Sequence, residues 1–315
     1  MSEHLLLNWS DEMLHDWMIP SDLAPGDMKS LEGDWSSMEL HRVQSADDPD
    51  FDIAFGALWA EFGARSEVEQ PTVLSRRLCW NGDTLVEGYA LRYRLVLLKS
   101  QGKLAAVRDH TAIVRSDQDE AIVHLSHNFI APEWRRSGLA GWLRALPIQS
   151  ARNCLAEQRR PLASPIILAG EMKTLDAADS ASYTRLKAYE KAGYLLVDPR
   201  RVPYLQPDFR APAEIDLTGG ARPLSLNLIV RRVGREGELT ISGAEVLRIV
   251  EAIYRVYGET FRRSDMASVL ASLKSYPAPD EMIDLLPPTT ELALGGSEGK
   301  MVFSPIGLGA RDDSS

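Results

Sequence analysis

The residues most able to do chemistry lie in His124–Trp142, HLSHNFIAPEWRRSGLAGW. A strand pattern ends at Ala131-Pro132, a turn carries Arg135-Arg136-Ser137-Gly138, and a helical pattern opens near Leu139. Strand, glycine-bearing loop and helix start make a phosphate-binding geometry. The first N–H groups of a helix have no partner inside it, and the helix dipole adds partial positive charge there. Gly138 lets the backbone approach an oxygen closely, and Arg135 and Arg136 add charge beside it. The same stretch holds two histidines. Strand alternation puts His124, Ser126 and Asn128 on one face and Leu125, His127 and Phe129 on the other. The polar face is expected to border a cleft. Histidines on opposite faces cannot share an ion, so no metal is expected.

The elements that must position this segment follow from pattern. Residues 1–36 are polar, broken by Pro20, Pro25, Gly26 and Gly33, and read as an arm with short helical turns. Met38–Gln44 alternates as a first strand. Asp50 or Asp52 is expected to cap a helix carrying Ile53, Phe55, Leu58, Trp59 and Phe62, and a short helix follows Pro71. Val86–Lys99, Lys103–Arg115 and Ala121–Ile130 form an antiparallel meander with polar turns at Ser100-Gln101-Gly102 and Asp117–Glu120. A helix from Leu139 to about Ala156 contains Pro147, which should bend it. Pro165–Ala169 is wholly apolar, as in a central strand covered on both faces. Ala177–Ala192 is helical and ends at Gly193 as a C-cap. Tyr194–Val197 and Leu224–Val233 are strands flanking a Pro-rich excursion over 199–223. Near the C-terminus, Ser242 fits a capping box ahead of a stripe of Val246, Val250, Ile253 and Tyr257. Ser264 is expected to cap a last helix, and the tail beyond Pro287-Pro288 is rich in Gly and Ser. Arg231-Arg232 and Arg262-Arg263 read as solvated faces. Tyr89, Tyr93 and Trp80 read as core or edge packing more than as an acceptor pocket, and Cys154 as a buried small residue.

Two motifs resemble the GNAT superfamily of acyl-CoA N-acyltransferases. Its signature, Arg/Gln-x-x-Gly-x-Gly/Ala after a strand ending V-x-P-e-y-R, is matched by Ile130-Ala131-Pro132-Glu133-Trp134-Arg135-Arg136-Ser137-Gly138-Leu139-Ala140. The family's Tyr-x-x-x-Gly-Phe/Tyr helix end is matched by Tyr189, Gly193 and Tyr194. Ser182 and Arg185 depart from it, standing where Asn and Ala are usual. The resemblance covers about residues 37–233 and implies an α/β (α+β) fold. Its mixed, mostly antiparallel sheet of about seven strands is flanked by helices, here with an extra C-terminal helical segment. It divides the chain into an N-terminal arm (1–36), an acyltransferase domain (37–235), a C-terminal helical extension (236–290) and a flexible tail (291–315).

The resemblance also implies a chemistry. Acetyl-CoA, or another acyl-CoA, is the donor. Its pantetheine pairs with Phe129-Ile130-Ala131 much as an added strand would, its diphosphate sits on the amides of Arg135, Arg136, Ser137, Gly138, Leu139 and Ala140, and Ser182 lies beside it. An amine acceptor attacks the thioester directly. Tyr189 is the expected general acid. His124 stands where some members place a glutamate base, Glu171 is a second candidate, and many members use water. Two alternatives stay open: a non-catalytic acyl-CoA-binding or protein-interaction module, and an acyltransferase using long acyl-CoA or acyl carrier protein.

Composition bounds these readings. The chain has 315 residues, 44% hydrophobic and 25% charged, enough for a sizeable core. A net charge of −10 argues against a general nucleic-acid binder and weakly suits a cationic acceptor. Two cysteines are too few for a disulfide scaffold. There is no apolar run of membrane-spanning length and no signal-peptide pattern, so no membrane partner and a cytoplasmic location are expected. The C-terminal stripe is expected to dock on the catalytic domain or on a second copy of the chain, as in a homodimer.

Overall fold

A computed structural model describes residues 12–175 and 180–290. The tail from 291, the first eleven residues and the expected helix start at Ala177 lie outside them. In chain order the elements are β1 (Glu12–Met13), β2 (Met38–Val43), α1 (Pro49–Phe62), α2 (Pro71–Arg77), β3 (Asn81–Val86), β4 (Tyr89–Ser100), β5 (Lys103–Arg115), β6 (Ala121–Ile130), α3 (Leu139–Glu157), β7 (Ile166–Met172), α4 (Ser180–Lys191), β8 (Leu195–Val197), β9 (Tyr204–Gln206), α5 (Pro212–Leu217), β10 (Leu224–Arg232), β11 (Thr240–Ser242), α6 (Gly243–Gly258), α7 (Arg263–Ser272) and β12 (Met282–Leu286).

Local chemistry explains most boundaries. Gln101-Gly102 turns β4 into β5 with φ of +50° and +71°, two left-handed residues as a tight hairpin demands. Glu87-Gly88 does the same at +47° and +84°. That second hairpin creates β3, an element the pattern did not announce because Glu-Gly is not a strong turn pair. Asp48, not Asp50 or Asp52, caps α1, accepting the Asp50 N–H at 3.0 Å. Asp50 and Asp52 lie in the first turn, where their charge complements the helix dipole. Ser242 Oγ accepts the Glu245 N–H at 3.2 Å at the start of α6. Ser264 falls inside the first turn of α7 rather than capping it, and Arg262 holds the N-cap position with no side-chain bond. Gly193, at φ +78°, ends α4.

The sheet is mixed and mostly antiparallel. Its order is β1-β2-β4-β5-β6-β7-β10-β8-β12-β11, with β3 on β4 and β9 on β10, which is twelve strands among the described residues where about seven were expected. Among the described residues only β6–β7 is parallel. The additional strands come from the arm, the Glu87-Gly88 hairpin, the 199–223 segment and the C-terminus.

The two faces are covered differently. Leu91, Ile113, Ile122 and Ile167 face α6, and Tyr93, Leu95, Leu97 and Val107 face α1 and α2. Ala90, Ala112, Val123 and Leu168 face α3. The stripe Val246, Val250, Ile253 and Tyr257 is at most 1% exposed and packs in the sheet's own core, while β12 extends the sheet from β8. Each such side chain stabilises the fold by about 1.5–3 kcal/mol. The arm wraps α3: Asp27 pairs with Arg144, Asp22 with Arg152, and Trp142 Nε1 donates to Ser30 O at 3.1 Å. Helix α3 is thereby buried on nearly every side and runs through Pro147 without interruption.

Arg231 and Arg232 are not a solvated face. They are 3% and 4% exposed, paired with Glu236 and Glu238, and Arg231 also donates to Asp22 O. The 233–238 turn and the arm fold over them. Arg262 pairs with Asp216 and Asp265, tying α7 to α5. No helix among the described residues is long and apolar enough to cross a membrane.

Candidate active site

The site begins where β6 and β7 stop pairing. Their ladder runs from Ala121↔Ile166 to Leu125↔Gly170 and ends there. At the same level β6 carries a bulge: Asp109 of β5 stands opposite both Ser126 and His127. A bulge adds one residue and shifts the alternation beyond it. Before it, even-numbered residues of β6 face α6, as His124 does with its ring 5.3 Å from that of Tyr257. After it, odd-numbered residues face the helical layer of α1, as His127 does against Phe62 at 5.4 Å. The expected opposition of His124 and His127 is therefore overturned; both point to the same side of the sheet. Among the described residues no cluster of three metal-ligating side chains forms.

The separated strands open a cleft of about 340 Å³. Ser126, His127 and Asn128 border it from β6, and Glu171, Met172, Lys173 and Thr174 from the end of β7. Ser182, Arg185 and Tyr189 line it from one side of α4. Phe62, Arg65, Glu67 and Glu69 close it from the segment joining α1 to α2. Gln206, Phe209, Leu224, Leu226 and Tyr257 come from the 199–223 segment, β10 and α6.

Glu171 is the most heavily bonded carboxylate of the cleft. Its Oε2 accepts from Tyr257 at 2.6 Å and Gln206 at 2.9 Å and lies 3.3 Å from His124 Nε2; its Oε1 accepts from Tyr204. Burial disfavours the charge, but the bonds from His124, Tyr204 and Tyr257 outweigh it, and the pKa falls below the ordinary value. Burial and the Glu171 charge push the Tyr204 and Tyr257 phenols well up. His124 itself is fully buried behind Glu171 and does not border the cleft. Of the two base candidates, only Glu171 faces the cleft.

A second pair lies under the bulge. Asp109 Oδ1 accepts the His127 backbone N–H at 2.7 Å and lies 3.0 Å from Nδ1, while Tyr93 donates to Oδ2 at 3.0 Å. His127 Nε2 is 2.9 Å from Glu67 O. Burial opposes both charges, yet each stabilises the other: Asp109 falls to about 2 and His127 rises to about 9. His127 is thus an imidazolium whose two N–H groups tie β6 to β5 and to the α1–α2 segment. Next to it Glu69 pairs with Arg77 at 2.7 Å, both fully buried, with the guanidinium 5.7 Å from the Tyr257 ring centre.

Tyr189 is half-buried on the cleft wall, its ring edge-on to Tyr194 at 5.0 Å and 5.9 Å from the Arg144 guanidinium. The Arg135–Ala140 loop lies outside the cleft lining. Arg135 and Arg136 are exposed, Arg136 and Gly138 take φ of +69° and +98°, and Ser137 Oγ accepts the Leu139 N–H at 3.2 Å at the start of α3. The arm supports this loop from behind, Ser30 Oγ donating to Gly138 O at 2.6 Å. Of the three residues expected to pair with a donor, Ala131 has both backbone groups engaged, its N–H to Ala105 O and its C=O to Trp134 N–H, each at 2.9 Å. Phe129 and Ile130 pair with β5 and lie beyond the last β7 pair, and the Ile130 C=O accepts from Arg135 Nε at 3.1 Å.

Sequence reasoning did not single out Glu69, Asp109, Tyr204 or Gln206. It read His127 as facing away and Tyr257 as a core stripe residue. None carries a local motif; each reaches the site from a separate segment.

No protein-family model matches this sequence, and no curated protein matches it. Solved structures that this chain is similar to include acetyltransferases. A GNAT-family acetyltransferase structure from Desulfovibrio desulfuricans is 13% identical, spans 62% of this chain and 99% of its own, and gives a TM-score of 0.36. An aminoglycoside acetyltransferase from an uncultured soil metagenomic sample is 12% identical over 49% of this chain and 87% of its own, at a TM-score of 0.33. A GNAT-family acetyltransferase from Elizabethkingia anophelis, solved with acetyl-CoA bound, is 12% identical over 62% of this chain and 98% of its own, at 0.32.

Proposed function

We propose that this protein is an acyl-CoA-dependent N-acyltransferase, with acetyl-CoA the first donor to test. The observation that carries the reading is the parting of β6 from β7 after Leu125↔Gly170, with Tyr189 bordering the gap and the α3 N-terminus following β6. An extended amide chain pairs with an open strand edge; at Phe129-Ile130 it would take the Ile130 C=O in place of Arg135 Nε. A diphosphate suits the Arg135–Ala140 loop, whose exposed arginines and first helical N–H groups favour anions. Residues 129–130 and 135–140 thus hold the donor, without Ala131.

The thioester carbonyl is the electrophile. The neutral amine nitrogen forms a bond to the carbonyl carbon, and the C–S bond then breaks. The Tyr189 hydroxyl gives its proton to the departing thiolate, and the extra proton on the newly acylated nitrogen passes through water to restore the phenol. Glu171, kept ionised and facing the cleft, receives the proton that the ammonium must lose, through the lone pair left on Oε1. Its lowered pKa makes it a relay to water rather than a lasting proton store. His124 acts behind it as a positioning residue.

Calorimetry with acetyl-CoA tests the reading. Wild-type protein should bind it, and an Arg135→Glu/Arg136→Glu variant at least tenfold more weakly, about 1.4 kcal/mol. Both arginines are exposed, so the variant should fold. A Gly138 substitution is a poorer probe, because φ is +98° and a Cβ would lie 3.1 Å from Ser30 Cα. Failure of the folded wild type to bind acetyl-CoA would overturn the assignment.

A further inference from the structure

The N-terminal arm reaches both elements on which donor binding and proton transfer depend. Its short 3-10 helix, Pro25–Glu32, lies between the start of α3 and α4, the helix that carries Tyr189. The fit needs glycine on both sides. A Cβ on Gly141 would overlap Ser30 Oγ, and one on Gly26 would overlap the Lys191 carbonyl at the end of α4. Asp27 anchors the arm to Arg144, accepting from Nε at 2.9 Å, and that guanidinium lies 5.9 Å from the Tyr189 ring centre.

Ser30 sits where the arm meets the loop. It is 2% exposed, and its carbonyl accepts from two indoles, Trp35 Nε1 at 2.8 Å and Trp142 Nε1 at 3.1 Å. With its backbone so fixed, its hydroxyl donates to Gly138 O at 2.6 Å. That bond holds the peptide between Gly138 and Leu139. Gly138 has φ of +98°, and glycine leaves the adjoining peptide free to rotate. In the observed orientation the Gly138 carbonyl points back to the arm and also accepts the Gly141 N–H at 3.1 Å. Rotated, its negative end would point out of the α3 N-terminus, against an anion held there. Ser30 is 108 residues upstream of Gly138, outside the stretch that carries the family resemblance.

We propose that the arm is a working part of the donor site and that Ser30 is a positioning residue, holding the Gly138 carbonyl away from the donor's diphosphate. This role rests on the acyltransferase reading, because it matters only if the Arg135–Ala140 loop receives the donor. It separates two functions within the arm: Ser30 governs donor affinity, whereas Asp22, bound to Arg152 further along α3 at 2.6 and 2.7 Å, serves packing alone.

Calorimetry with acetyl-CoA and denaturant unfolding, both on the full chain, test this division. Ser30→Ala should bind acetyl-CoA about three- to tenfold more weakly than wild type, the effect of one lost hydrogen bond. Gly141→Ala should weaken binding similarly, because the new methyl turns the Ser30 hydroxyl off Gly138 O. Asp22→Asn should lower stability and leave acetyl-CoA affinity unchanged. If Ser30→Ala does not fold, Gly141→Ala carries the comparison. Unchanged affinity in the folded Ser30→Ala or Gly141→Ala variant overturns the proposal. So does an equal loss of affinity in Asp22→Asn, which would make the arm a general support with no special part for Ser30. Wild type that fails to bind acetyl-CoA removes the acyltransferase reading and this role with it. Wild type that binds, with Ser30→Ala binding equally, removes the role of Ser30 alone.

Discussion

Replacing Asp109 by Asn should remove an alkaline loss of stability from this protein. In the native state the His127 imidazolium is held by the Asp109 carboxylate, with Glu69 nearby and the Glu67 carbonyl on its other nitrogen. Its pKa rises from 6.5 to about 9. At 1.36 kcal/mol per unit that is on the order of 3 kcal/mol. A raised histidine contributes fully below its unfolded pKa of 6.5 and loses the contribution as pH rises through about 9. Asp109 works the other way. Its pKa falls from 3.8 to about 2, so its contribution is present above 3.8 and is lost as pH drops through about 2. The pair is therefore worth most between these limits. Denaturant unfolding of wild type and Asp109→Asn at about pH 6, 8 and 10 isolates it, because other titrating groups are common to both. The wild type should lead at the acid end, by no more than about 3 kcal/mol because Glu69 and the Glu67 carbonyl also raise His127, and the gap should narrow toward the alkaline end. Parallel curves would show that His127 is not held charged by Asp109, and the account of the clamp between β6 and the α1–α2 segment would fail.

Tyr189→Phe keeps the ring and removes the proton donor; kcat should fall by about 10²–10⁴-fold while acetyl-CoA affinity, read by calorimetry, stays nearly unchanged. An unchanged kcat, with chemistry rate-limiting, would remove Tyr189 from the mechanism. Ile253→Ala opens a cavity under the sheet, since Ile253 is fully buried in α6; denaturation should show a loss of about 2–5 kcal/mol. A loss well below that range would mean that α6 is not packed in the core.

What the chain determines locally was legible from its residues. The Gln101-Gly102 turn, the meander it joins, the Arg135–Ala140 loop and the Tyr189–Gly193–Tyr194 helix end all depend on neighbours a few positions away. Backbone sterics, capping and periodicity act at that range. The tertiary structure decided the rest. One extra residue opposite Asp109 reversed the facing of β6 and brought His127 to the side of His124. No side-chain pattern within β6 announces a bulge, because it is a mismatch between two strands rather than a property of one. Glu171 likewise acquires Tyr204, Gln206 and Tyr257 from segments 33, 35 and 86 residues away. The same wrapping buries Arg231 and Arg232, whose charges alone suggested a surface. A residue's type fixes which bonds it makes; which partner arrives depends on chain closure over long separations, and only the packed sheet and its helices supply that.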